Sequence, residues 1–84
     1  MIRIYADFNS CDEQGRVRLS TVGSLKDIDR YKEILVDGMR VMLYTTDEFE
    51  VCGTLVFEEI WLGIPDWNTI HYLSPEGASD LPLK

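Results

Sequence analysis

The sequence predicts a mainly β fold of the α+β kind: a small antiparallel sheet or a five- to six-stranded barrel, with one short helix at about 24–35. Three observations carry this. Apolar residues alternate with period two through residues 2–8, 16–20, 39–46 and 49–57, the signature of half-buried strands. One stretch, 24–35, changes to a spacing of three and four. Turn formers punctuate the runs, with Asn9-Ser-Cys-Asp-Glu-Gln-Gly15, Asp37-Gly38 and Thr46-Asp47-Glu48 between them.

In the first run, Ile2, Ile4, Ala6 and Phe8 alternate with Arg3, Tyr5 and Asp7. The second sets Val17 and Leu19 against Arg16 and Arg18, and the two runs read as a hairpin with a long loop. Ser24-Leu-Lys-Asp27 has the form of a capping box with Asp at its fourth place. Leu25, Ile28, Tyr31 or Lys32, and Leu35 follow at helical spacing, which points them toward a core. After Asp37-Gly38, Met39, Val41 and Leu43 share one strand face. Phe49, Val51, Leu55 and Phe57 share one face of the next strand, where Gly53 suggests a bulge or a sharp bend. Ile60-Trp-Leu-Gly-Ile64 is another apolar run, ended by Pro65-Asp66. Residues 67–73 form a short closing strand or a helical turn.

Strands joined by short turns pair antiparallel, and curling a small sheet shields its edges. The order of elements, with Trp61, Pro65 and a short closing strand at its end, resembles that of small Src-homology-type barrels; the resemblance carries no functional residue with it. The 84 residues make one domain, placed at 1–73. Residues 74–84 contain two prolines and no periodicity and are expected to form a flexible tail. The N-terminus alternates instead of presenting a continuous apolar segment, and no run approaches the ~20 residues of a membrane span. With only Cys11 and Cys52 present, the disulfide density of a small secreted domain is missing. A cytoplasmic protein with reduced thiols and no membrane association is expected.

Charge narrows the partners. Residues 1–40 hold seven cations and seven anions, whereas residues 41–84 hold eight anions and Lys84 alone, so the net charge of −7 resides in the second half. Nucleic-acid binding needs clustered cations interleaved with aromatics. Tyr5, Tyr44, Trp61, Trp67 and Tyr72 supply rings, but Arg3, Arg16 and Arg18 are blunted by Asp7, Asp12 and Glu13. Nucleic acid is therefore not the expected partner.

Catalytic and metal signatures fail on spacing. His71 is the one histidine, with no serine or cysteine nucleophile near it in sequence. Asp7, Asn9 and Cys11 begin like a calcium loop, but the glycine is misplaced and Arg18 occupies the glutamate position. Cys11, Cys52 and His71 lack the paired spacing of a zinc site. No catalytic residue, metal or cofactor is assigned.

What remains is aromatic residues beside acids. Trp61, Trp67 and Tyr72 flank Glu58, Glu59 and Asp66 around Pro65, the composition of a protein-binding surface. Trp61 is expected to be the more exposed tryptophan and Trp67 to belong to the core. The reading is a non-catalytic acidic protein-interaction domain, an inhibitor or adaptor for a partner with a basic surface, with Glu58, Glu59, Trp61, Asp66, Trp67 and Tyr72 at the contact. Two alternatives stand beside it. One is a small-ligand binder or hydrolase with Glu50, Glu58 or Asp66 in a barrel mouth at a raised pKa. The other is a structural homodimer joined through edge strands.

Overall fold

The computed structural model describes residues 1–73. The chain runs through β1 (Arg3–Tyr5), β2 (Val17–Arg18), α1 (Val22–Tyr31), β3 (Arg40–Thr45), β4 (Phe49–Glu58), β5 (Ile60–Pro65), a 3-10 turn at Trp67–Thr69, and β6 (His71–Tyr72). The strands make one curled, half-barrel mixed sheet in the order β1-β3-β4-β5-β2, with β6 also on β4. This is the mainly β class with one short helix that the periodicities predict. The tail expected at 74–84 lies outside the described residues.

β4 organises the sheet. It pairs antiparallel with β3 along one edge, from Thr45↔Phe49 to Arg40↔Thr54. Its other edge is divided, Phe49 and Glu50 facing β6 and Gly53 to Glu58 facing β5. The gap between is filled at Cys52, whose N–H donates to Thr69 Oγ1 (2.9 Å) and whose carbonyl accepts the Asp66 N–H (2.8 Å). Strand groups without a ladder partner need another one, and here the 3-10 turn and its N-cap supply them.

The core lies on the face that alternation assigns to it. Val41 and Leu43 of β3 and Val51 and Leu55 of β4 are fully buried, together with Ile4, Ala6, Val17 and Leu19, and Leu35 joins the same cluster. Each large side chain so buried contributes about 1.5–3 kcal/mol. The ends of β4 escape this pattern: Phe49 is half-buried and Phe57 is 51% exposed.

Three local expectations are corrected. First, the runs 2–8 and 16–20 do not pair with each other. β1 pairs parallel with β3, Ile4 opposite Leu43, with α1 in the crossover that parallel pairing requires. A turn closed by Ser10 N–H on the Asp7 carbonyl ends the first run, and the segment after it partners β2 through Cys11↔Val17 and Arg18 N–H on Ser10 O.

Second, α1 begins and ends earlier than 24–35. Thr21 is its N-cap, with Oγ1 accepting the Ser24 N–H, and Lys32 is its C-cap. Leu25 is 52% exposed, while Ser24 and Asp27 are the buried residues of the helix. They are not a capping box. Asp27 Oδ2 accepts the Tyr5 N–H (2.9 Å), and Ser24 Oγ donates to the Tyr5 carbonyl (2.5 Å). Tyr5 points these groups away from β3, so the helix closes the outer edge of β1 with two polar side chains.

Third, Gly53 lies in regular register between Val41 and Pro65, with no bulge. A Cβ at Gly53 would lie 2.6 Å from Leu43 Cδ1 and 2.9 Å from the Ile64 carbonyl oxygen; one at Gly63 would lie 2.9 Å from Leu43 Cδ1. The two glycines make room for Leu43, and close packing is the reason for the residue type.

Among the described residues, no helix is long and apolar enough to cross a membrane.

Candidate functional site: an aromatic face rimmed by carboxylates

The six residues expected at the contact divide into two groups. Glu58, Glu59 and Trp61 lie at the β4–β5 turn; Asp66, Trp67 and Tyr72 lie toward the opposite end of β4. The ten-residue strand between them spans roughly 30 Å. They do not form one patch.

The second group belongs to a continuous aromatic cluster. Phe8 comes from the loop after β1, Phe49 opens β4, Trp67 opens the 3-10 turn and Tyr72 lies in β6 opposite Phe49. Ring centroids are 5.1 Å apart for Phe8–Phe49, 5.3 Å for Phe8–Trp67, 6.1 Å for Phe49–Trp67 and 6.0 Å for Phe49–Tyr72, all tilted or edge-on, as ring quadrupoles prefer. Phe8 and Phe49 pack against the core from beneath. Trp67 is 49% exposed and Tyr72 71%. Trp61, expected to be the exposed tryptophan, instead packs partly against the core and edge-on against Phe57 (5.0 Å). The expectation is thus reversed. Trp61 keeps strand alternation and so points inward beside Gly63, whereas the turn after Pro65 carries Trp67 past the core.

Local chemistry fixes that turn. Asp66 is its N-cap, Oδ1 accepting the Asn68 N–H at 3.2 Å, and Thr69 Oγ1 donates to the Asp66 carbonyl at 2.7 Å. The other Asp66 oxygen lies 3.7 Å from Arg40 Nη2. β6 is held by its pairing with Phe49 and Glu50 and by the Leu73 N–H on the Glu48 carbonyl.

The carboxylates at this end of β4 are in two states, and Glu50 alternates to the sheet face opposite Phe49 and Tyr72. Glu50 is engaged: Arg3 donates to its Oε1, and His71 Nδ1 faces its Oε2 at 3.5 Å. These contacts, Arg3 foremost, hold the Glu50 carboxyl below the ordinary glutamate range. The Arg3 guanidinium also lies 4.7 Å over the Tyr44 ring. Asp7 and Glu48 differ, since neither makes an ion pair among the described residues. Both line a hollow of about 360 Å³ beside Phe8 and Phe49. The two helix cations without an ion pair, Lys26 and Arg30, line a separate hollow with Tyr5 and Tyr44.

At the β4–β5 turn, Arg16 bridges Asp12 (2.7 Å) and Glu58 (3.1 Å). The Arg16 backbone N–H, with its side chain, lowers the Asp12 pKa. Glu59 occupies the turn with φ of +69°.

The groups weighed for catalysis and metal binding have structural partners. Asp7 Oδ1 accepts the Asn9 N–H, Cys11 Sγ donates to the Phe8 carbonyl, and His71 faces Glu50. Cys11 and Cys52 are free thiols. Among the described residues, no group of three or more His, Cys, Asp or Glu side chains converges to hold a metal ion. Sequence reasoning did not place Phe8, Phe49, Asp7 or Glu48 at the contact. The signal available for the two rings was their place at the ends of alternating runs, where a core residue becomes a rim residue. Compared with protein families, curated proteins and solved structures, the chain matches none.

Proposed function

We propose that this protein is an acidic interaction module that binds the basic surface of another protein through the Phe8–Phe49–Trp67–Tyr72 face. The observation that carries the reading is that face itself: rings packed on the core through Phe8 and Phe49, about half exposed at Trp67 and mostly exposed at Tyr72, with Asp7 and Glu48 beside Phe8 and Phe49. Rigid exposed aromatics are the usual anchors of protein interfaces, and the net charge of −7 steers a cationic partner toward them. The carboxylates weighed for a barrel-mouth enzyme are engaged within the chain. Glu50 is paired with Arg3 and its pKa is lowered, Glu58 is bridged by Arg16, and Asp66 caps a turn.

The test is affinity capture with the immobilised wild-type chain and a Trp67→Ala/Tyr72→Ala variant, at low and at high salt. The expected result is a basic protein retained by the wild type, lost with the variant and weakened by salt. Capture that is indifferent to both, or that recovers acidic proteins alone, contradicts the reading.

A further inference from the structure

We infer that the hollow beside Phe8 and Phe49 is a seat for a single arginine side chain of the partner protein. This rests on the interaction reading above and specifies which chemical group the face receives. Asp7, Phe8, Glu48 and Phe49 are among the residues that line the hollow. Phe8 and Phe49, their ring centroids 5.1 Å apart, are aromatic residues of that lining. Asp7 and Glu48 are the acidic residues of the same lining, neither in an ion pair among the described residues.

The distribution of the chain's own cations sharpens the point. Among the described residues, Arg3, Arg16, Lys32 and Arg40 are committed to Glu50, Asp12 with Glu58, Asp29 and Asp66. Arg18 donates to the Cys11 carbonyl, and Lys26 and Arg30 line the helix hollow. None of the seven lines the hollow at Asp7 and Glu48. The described cations leave these two carboxylates open to a cation from a partner. At about 360 Å³ the space lies near the bottom of the ~300–1,000 Å³ range of ligand pockets, so it takes one long side chain and not a large molecule.

Arginine fits better than lysine. A planar guanidinium stacks on a phenyl face and donates in parallel to a carboxylate, while an ammonium offers only a compact, strongly hydrated charge. Asp7 Oδ1 already accepts the Asn9 N–H, which holds that carboxylate in place and leaves Oδ2 for the incoming group. Glu48 follows Asp47, a non-glycine residue at φ of +61° in the tight β3–β4 turn, and its backbone is tied on both sides, N–H to Thr45 and carbonyl to Leu73.

The test uses blocked pentapeptides, Ala-Gly-Xaa-Gly-Ala, with arginine, lysine or citrulline at the centre, titrated into isotopically labelled full chain by nuclear magnetic resonance. Citrulline keeps the shape of arginine and removes its charge. The expected result is shifts centred on Asp7, Phe8, Glu48 and Phe49, with arginine ahead of lysine and citrulline weakest. Asp7→Asn/Glu48→Gln should weaken arginine binding about tenfold, the loss of charge-assisted hydrogen bonds, with an unchanged melting curve. Equal binding of arginine and citrulline, no binding, or shifts centred elsewhere overturns the inference. If the peptides fail while the Trp67→Ala/Tyr72→Ala variant still abolishes capture of a basic protein, the arginine seat falls and the interaction reading stands. If both fail, both fall.

Discussion

The carboxylate of Asp27, on the helix, accepts the backbone N–H of Tyr5 on the outer edge of β1, at 2.9 Å. The same Asp27 oxygen accepts the Tyr44 hydroxyl at 3.0 Å, so one buried side chain ties α1 to both β1 and β3. Removing it leaves two donors without partners. Asp27→Ala should lower stability by about 2–3 kcal/mol, with Asp27→Asn costing about 1 because the amide oxygen still accepts. Urea unfolding with an unchanged slope and a lower midpoint is the expected observation. A midpoint for Asp27→Ala within error of the wild type would dismiss the clamp.

The packing of Leu43 against glycine gives a prediction of opposite sign to strand propensity. Gly→Ala within a strand normally removes a penalty of about 0.5–1 kcal/mol. At Gly53 the new methyl meets Leu43 and the Ile64 carbonyl, so Gly53→Ala should destabilise by about 1–3 kcal/mol as overpacking does. Thermal unfolding measures this directly.

Glu59 holds a left-handed backbone conformation without being glycine. Glu59→Gly should therefore raise stability by about 0.5–1 kcal/mol, the relief of a left-handed conformation less the greater freedom of the unfolded chain. Because Glu59 lies far along β4 from the aromatic face, capture of a basic partner should survive the change. Loss of capture would move the contact to the β4–β5 turn.

The titrating groups set a pH window. Glu50 and Asp12 have pKa values lowered from 4.5 and 3.8, so the folded chain binds these protons less tightly than the unfolded chain does. Their contribution is complete above those ordinary values and disappears as pH falls through the folded-state pKa values. Tyr44 is raised above 10.0 by burial first and by its hydrogen bond to Asp27 second. Its contribution is complete below pH 10.0 and is lost as pH rises through the folded-state value. Urea midpoints followed against pH should show a plateau from about pH 5 to 9 that falls off on both sides. Glu50→Gln should flatten the acid limb and Tyr44→Phe the alkaline one.

Alternation of apolar residues made the strands and their buried faces legible, because a period of two leaves no choice of side once one face is apolar. Val41, Leu43, Val51 and Leu55 were readable for that reason. Pairing was not. The partner of β1 is chosen by a crossover that brings Ile4 beside Leu43, a contact across 39 residues that local spacing cannot encode. The helix misled because its buried face is polar: Ser24 and Asp27 serve a strand edge, and their spacing coincides with that of a capping box. The candidate site was half legible. Asp66, Trp67 and Tyr72 stood out as aromatics among acids, but Phe8 and Phe49 carried the pattern of core residues and sit at the edge of the core, Phe8 in the loop after β1 and Phe49 at the start of β4.

The most direct measurement of the central claim is photo-crosslinking in cells from a benzoylphenylalanine placed at Tyr72, with a second chain carrying it at Lys26 on the helix as the control. The account predicts adducts from position 72 with a protein of basic composition, reduced by Asp7→Asn/Glu48→Gln, and no corresponding adduct from position 26. Adducts that arise only from position 26, or that join position 72 to acidic proteins alone, would contradict it.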